Sequence, residues 1–249
     1  MADPSSFIFS LLTYNINDGM VSESAPPDWT LDEQHNHLRD LVREHRPDLL
    51  CLQECFTFPS KLIDDYDFHG EAPSHRGSCF IGTLKNAALR VAGPVLAVGP
   101  CILLPLCLRR AAQERRFLAT SAHLAPFYEF HPVRARQIAA IVAAAPEGAP
   151  LVLAGDLNMR EEENDVGTRH GLLDAWVEGG SPVSERWSWN TDVNRYYTEG
   201  RKYKARYDRV LYRGCRVLSF ALVGNQPCSV DKPHYLSDHF GLYIRLQLT

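Results

Sequence analysis

Short apolar runs, each about the length of one strand, recur along the chain with turn residues between them, and this pattern restricts the fold more than any other feature. Phe7 to Thr13, Asp48 to Gln53, Cys79 to Leu84, Val91 to Val98, Ile102 to Leu108, Phe117 to Ala122, Leu151 to Ala154, Tyr207 to Tyr212, Val217 to Val223 and Leu242 to Leu248 all read as strands. Two stretches break the pattern. Thr30-Leu-Asp-Glu33 is a capping box opening a helix whose Leu31, Leu38, Leu41 and Val42 share a face and which Pro47 stops. A second helix begins near Pro132, carries Ile138, Ile141 and Val142 as its apolar stripe, and runs to Ala145. From Cys79 to Ala122 there is no room for a long helix, which points to antiparallel pairing. Strands outnumber helices, and runs this apolar need cover on both faces. The expected fold is a pair of mixed sheets with helices on the outer faces.

At 249 residues and 45% hydrophobic content the chain can bury one large core, and without repeats or long linkers it reads as a single domain over residues 1–249. A net charge of −4 gives no global basic footprint, so binding a polyanion requires a local patch or a bound cation. Cys51 and Cys55 lack the second pair that a structural zinc site needs, and seven cysteines without a framework read as reduced, intracellular thiols. MADPSSF is not a signal peptide, and Pro94, Gly99, Pro100 and Pro105 interrupt the apolar stretch from Val91 to Leu108. Neither secretion nor a membrane span is expected.

Polar residues cluster where the apolar runs stop. Tyr14-Asn15-Ile16-Asn17, Glu54, His123 and Gly155-Asp-Leu-Asn158 each follow a strand, Tyr207-Asp-Arg209 opens one, and Ser237-Asp-His-Phe-Gly241 precedes the last. Singly these are ordinary turn residues; in one order at successive strand ends they make a pocket of carboxylate, amide and imidazole without a serine or cysteine nucleophile. Such a set suits phosphodiester hydrolysis assisted by a hard cation. Glu54 is the natural metal anchor, and few carboxylates among neutral donors favour Mg2+, or Mn2+, over zinc. Asp156 can take a proton from an attacking water, while Asn15 and Asn158 donate to phosphate oxygens or position metal ligands. His239 and His123 can donate to the phosphate, with Asp208 holding His239 in one tautomer and favouring its charged form.

Taken together, Thr13-Tyr-Asn-Ile16, Leu52-Gln-Glu54, Ser121-Ala-His-Leu124, Gly155-Asp-Leu-Asn158, Tyr207-Asp-Arg209 and Ser237-Asp-His-Phe-Gly241 resemble the successive signatures of the endonuclease/exonuclease/phosphatase, or DNase I-like, superfamily. The resemblance implies a four-layered α/β sandwich. It also implies that Asn15 and Glu54 sit at the metal, Asp156 and Asn158 at the water and phosphate, Asp208 with His239 as a charged pair, and Asp238 near the metal or its water shell. Leu173-Asp-Ala-Trp-Val-Glu178, Ser188-Trp-Asn-Thr191 with Asn194, and Tyr203-Lys-Ala-Arg-Tyr-Asp-Arg209 are similar to segments of the superfamily's tyrosyl-DNA phosphodiesterase branch. That branch implies hydrolysis of the bond between a topoisomerase-derived tyrosine and a 5′-phosphate, DNA with 5′-tyrosyl or 5′-blocked ends as partner, and nuclear residence of a monomer.

Cations at 195, 201, 202, 204, 206 and 209 alternate with tyrosines at 196, 197, 203 and 207, a local basic strip in which Lys204, Arg206 and Tyr203 are candidate substrate contacts; Trp189 can stack on a terminal base or on the departing tyrosine. Pro126 and Phe127 depart from the family pattern, which has small polar residues there. The same signatures serve lipid phosphodiesterases of the sphingomyelinase type, inositol-phosphate phosphatases, deadenylases and abasic-site endonucleases; a non-catalytic binding module is the rival of a different kind. Phe127, Tyr128 and Phe130 would be the docking loop of a lipid enzyme.

Overall fold

The capping box at Thr30 forms as expected: its Oγ1 accepts from the Glu33 backbone N–H at 3.2 Å, and Glu33 accepts from the Thr30 N–H at 2.7 Å. The chain is described here by a computed structural model covering residues 7–20, 25–70, 77–197, 199–228 and 234–249. The N-terminal heptapeptide reading falls, but for Phe7, outside the described residues.

The strands are β1 (Ile8–Asn15), β2 (Leu49–Cys55), β3 (Tyr66–Gly70), β4 (Ser78–Leu84), β5 (Leu89–Val91), β6 (Leu96–Val98), β7 (Cys101–Arg110), β8 (Gln113–His123), β9 (Leu151–Asp156), β10 (Leu173–Asp174), β11 (Trp189–Asn190), β12 (Lys204–Ala205), β13 (Asp208–Arg213), β14 (Cys215–Val223) and β15 (Gly241–Leu248). The α-helices are α1 (Leu31–His45), α2 (His131–Ala144), α3 (Asp165–Arg169) and α4 (Ala175–Glu178). One sheet has the order β14-β15-β1-β2-β4-β3, the other β10-β13-β9-β8-β7-β5 with β6 also on β7, and β11 pairs with β12 apart from both. Each large sheet holds one parallel pair, β1 with β2 and β8 with β9, and its other pairings are antiparallel. Helices make those two parallel connections, α1 between β1 and β2 and α2 between β8 and β9, because parallel neighbours require a crossover.

Alternation along the strands builds the layers. Phe9 and Leu11 of β1, Leu49 and Cys51 of β2, Phe117 and Ala119 of β8, Val152 and Ala154 of β9, and Val210 and Tyr212 of β13 form one core between the sheets. The residues out of step with them, Leu12, Tyr14, Leu50 and Leu52, pack under Leu38 and Val42 of α1. Leu118, Ala122, Leu151 and Leu153 pack in the same way against Ile138 and Ile141 of α2. The result is the expected four-layered sandwich.

Three details differ from expectation. The Val91 to Val98 run is two short strands, β5 and β6, both on β7, because Pro94 offers no N–H to a continuous ladder. Leu31 is exposed at the start of α1 rather than on its buried face. The strand β3, Tyr-Asp-Phe-His-Gly, is an edge strand too polar to be read as an apolar run.

Candidate active site

Period-two alternation carries the inner-face residues of five strands past the apolar core to its end. Continuing the inward positions of β1 leads to Asn15, those of β8 to His123, those of β9 to Asp156, and those of β13 backwards to Asp208. Gln53 of β2 ties the two sheets together just beneath, with Nε2 donating to Thr13 Oγ1 (3.2 Å) and to Ser121 Oγ (2.9 Å).

Asn15 lies at the centre. Its Nδ2 donates to Glu54 Oε1 at 2.9 Å and Asp156 Oδ2 at 3.1 Å, and its Oδ1 accepts the Asn17 N–H at 3.2 Å. Both amide hydrogens are therefore engaged. Asn15 thus stands beside Glu54, where the resemblance puts it at the metal, and the geometry favours positioning the carboxylates over donating to phosphate. Asp156 is held at both oxygens, the second by the Asn158 N–H at 2.9 Å. One amide hydrogen of Asn158 goes to Leu124 O (3.1 Å), which leaves the other for a ligand.

Local backbone strain aims these groups. Glu54 (φ 49°), Asn158 (φ 51°), Asn17 (φ 40°) and Phe127 (φ 67°) are four of the eight non-glycine residues with positive φ among those described, and strain of this kind collects at functional sites. Glu54 sits where the β2–β4 register shifts, so a bulge turns its side chain. Gly77 passes so close that a Cβ there would lie 2.9 Å from Glu54 Cα.

His239 Nδ1 meets Asp208 Oδ2 at 2.7 Å, and its Nε2 stands 3.7 Å from Asp156 Oδ2. Burial opposes the charged imidazole, but the carboxylates of Asp208 and Asp156 outweigh it and hold His239 well above the usual histidine range. His123 Nε2 lies 3.5 Å from Glu54 Oε1 and 3.6 Å from Asp156 Oδ2. Burial raises the Glu54 carboxyl, with His123 and Asn15 pulling it back.

Glu54, His123, Asp156, Asn158, Asp238, His239, Trp189 and Tyr203 line one cavity of about 250 Å3, with Pro126, Phe127, Arg160 and Tyr207. Trp189 packs edge-on to His239 (centroids 4.9 Å) and stacks on Tyr203 (5.9 Å). Asp208 and Asn15 stand behind, touching the cavity's residues without lining it. The structure does not bring Lys204 and Arg206 there. Lys204 faces solvent and pairs with Asp192 at 3.0 Å. Arg206 is buried, donates to Asp174 Oδ2 at 2.6 Å and lies 4.7 Å over Trp176; neighbouring Arg209 is buried too. The strip that looked basic in sequence therefore folds half inside.

Several side chains contribute in ways the sequence reading does not assign. Arg160 brings the cavity its guanidinium, 4.4 Å over the Tyr207 ring; its only signal was its place two residues after Asn158. Asn17 donates to Asp238 Oδ1 at 3.2 Å, and Asp18 receives the backbone of Phe56 and Thr57, tying the turn after β1 to that after β2. The Ser188 hydroxyl accepts from the Asp208 N–H (3.0 Å), and Asn194 donates to Ser237 O (2.8 Å). The segments between the main signatures thus brace Asp208 and the loop carrying Asp238 and His239.

The arrangement suits a hard cation. One atom each of Glu54, His123 and Asp156 lie within 4.8 Å of one another, Asp238 adds a third carboxylate to the cavity, and Asn17 Oδ1 is buried with no hydrogen-bond partner. A positive ion relieves the mutual repulsion of such carboxylates.

Residues 12–239 match the Endonuclease/Exonuclease/phosphatase family, and the chain belongs to that family of metal-dependent hydrolases, with its DNase I-like fold. Within it, the chain is similar to tyrosyl-DNA phosphodiesterase 2. The Homo sapiens protein is 24% identical over 97% of this chain and 68% of its own length. The Mus musculus protein is 28% identical over 57% of this chain, and the match spans only 40% of that relative. Among solved structures, truncated Caenorhabditis elegans TDP2 superposes with a TM-score of 0.75 at 24% identity over 98% of both chains. Danio rerio TDP2 complexed with single strand DNA product gives 0.76 at 20% identity, over 96% of this chain and 98% of that one.

Proposed function

We propose that the chain is a Mg2+-dependent phosphodiesterase, with Mn2+ as an alternative cation, that hydrolyses the bond between a tyrosine and the 5′-phosphate of DNA. The observation that carries this reading is the convergence of Glu54, His123, Asp156, Asn158 and His239 on one cavity beside Trp189 and Tyr203. The similarity to tyrosyl-DNA phosphodiesterase 2 supports the choice of substrate. On this reading the protein works as a monomer in the nucleus on 5′-blocked DNA ends.

Glu54 and Asp156, with Asp238 alongside, would hold the cation. When bound, it neutralises the phosphate oxygens and the departing oxygen. Asp156, fixed at both oxygens, receives the proton of the attacking water. The free amide hydrogen of Asn158 and the imidazoles of His123 and His239 donate to the phosphate. Asp208 holds His239 by Nδ1, so Nε2 is the nitrogen presented. Asn15 sets the spacing of Glu54 and Asp156. Trp189 and Tyr203 offer π faces to a base or to the leaving tyrosine.

Turnover compared across a 5′-tyrosyl oligonucleotide, its 3′-tyrosyl isomer, an abasic duplex and sphingomyelin tests this choice of substrate. The first alone should be cleaved in magnesium. The exposed rings of Phe127, Tyr128 and Phe130 favour a second reading, a lipid phosphodiesterase, which preference for sphingomyelin would support.

A further inference from the structure

Phe127 has a backbone conformation, φ 67° and ψ 153°, that is almost confined to glycine. Its ring gains little from the core in return, since the residue is 62% exposed and stands on the rim of the catalytic cavity. What holds it there is Arg134 of α2. Arg134 is completely buried, and its Nη1 donates to the carbonyls of Ala125 (2.9 Å) and Phe127 (2.6 Å). The rest of the guanidinium lies fork to fork on Glu163, with Nε to Oε1 at 3.0 Å and Nη2 to Oε2 at 2.7 Å. Glu163 Oε2 also accepts the backbone N–H of Arg160 at 2.9 Å. One buried ion pair therefore fixes two parts of the cavity rim, the segment ending at Phe127 and the segment carrying Arg160. Apolar side chains of similar volume often stabilise as well as a buried ion pair, so what this pair adds is geometry.

We infer that Phe127 is a substrate-contacting residue that stacks on a flat aromatic ring carried by the phosphodiester, and that Arg134 and Glu163 are the positioning pair that holds it. The inference rests on the phosphodiesterase reading above. A strained ring facing solvent beside the groups that handle phosphate is of use to a ligand rather than to the fold. Two rings adjoin the reacting phosphate, the tyrosyl group and the terminal base, and both present the π face that an aromatic side chain binds. The small polar residue that the family pattern leads one to expect here would give a hydrogen bond. Phe127 gives a surface instead.

Steady-state kinetics of the magnesium-loaded protein test the inference on three substrates: a 5′-tyrosyl oligonucleotide, the same with an abasic terminal nucleotide, and one with a normal base whose phosphate carries an alkyl alcohol in place of tyrosine. Phe127→Leu should raise KM about tenfold on substrates that keep the stacked ring, with less effect on kcat. The modified substrate that loses this sensitivity identifies the ring. Phe127→Gly should raise KM likewise while raising Tm, because the strain is released. Arg134→Lys should also raise KM, and should do so by a smaller factor in a Phe127→Gly background than in the wild type, the remainder acting through the Arg160 segment, a non-additivity that general loss of structure would not produce. An unchanged KM for Phe127→Leu, in a wild-type protein that turns over these substrates, would overturn the inference and leave the phosphodiesterase reading intact. Absence of wild-type turnover on all three would remove both. Binding of phosphatidylcholine vesicles that is lost in Phe127→Leu would assign the ring to a lipid surface and overturn the inference as well.

Discussion

Asp208 and His239 show how much one contact sets. The carboxylate fixes the ring through Nδ1 and raises its pKa against the effect of burial. The charged pair's contribution to stability is therefore complete below the unfolded histidine pKa of about 6.5, and is lost as pH rises through the elevated folded value. In Asp208→Asn the imidazole should lose its proton at lower pH. The limb of the kcat profile that follows this deprotonation should move to lower pH, and kcat should fall about 10²- to 10⁴-fold. Glu54→Gln should leave binding of a DNA product within a few-fold while removing most turnover, which fluorescence titration beside an activity assay would show. At this scale the sequence was legible wherever a polar residue closed an apolar run, as at Asn15, His123 and Asp156. It was not legible for Arg206, since neighbours in a basic stretch look alike until burial against Asp174 separates them. Nor did any run announce Arg160 or the rim formed by Arg134.

Elements place these residues, and two substitutions test the placement. Gly155 (φ 142°) precedes Asp156 where β9 runs beside β8, and a Cβ there would lie 2.0 Å from the Ala122 carbonyl oxygen. Gly155→Ala should cost about 3 kcal/mol from overlap and backbone strain, lowering Tm by roughly 6–12 °C in calorimetry. Thr30→Ala removes the side-chain cap of α1 and should cost about 1 kcal/mol, or roughly 2–4 °C, without touching kcat. All ten apolar runs contribute strands, most of them covered on two faces, while Val91, Leu96 and Leu218 stay exposed on β5, β6 and β14. The run containing Pro94 split, and β3 escaped notice because its Asp67 and His69 break the apolar pattern. The two-residue strands β10, β11 and β12 carry too few positions for periodicity to register.

For the whole molecule, stacking two mixed sheets turns alternation into the floor of a site, which the bulge at Glu54 and the loop carrying Asp238 and His239 complete. The inward positions that build the core between the sheets end in polar groups at one end of it, so residues as far apart in sequence as Asn15 and Asp156 hydrogen-bond. The order of motifs along the chain could suggest this convergence, but only the packing of one sheet on the other sets the distances. The same packing puts several carboxylates around one cavity, which gives the site its need for a cation. Turnover of a 5′-tyrosyl oligonucleotide should therefore vanish with a chelator, return on adding magnesium, and be absent in Asp156→Asn protein of wild-type Tm. Turnover that survives both the chelator and the Asp156→Asn substitution would contradict the account.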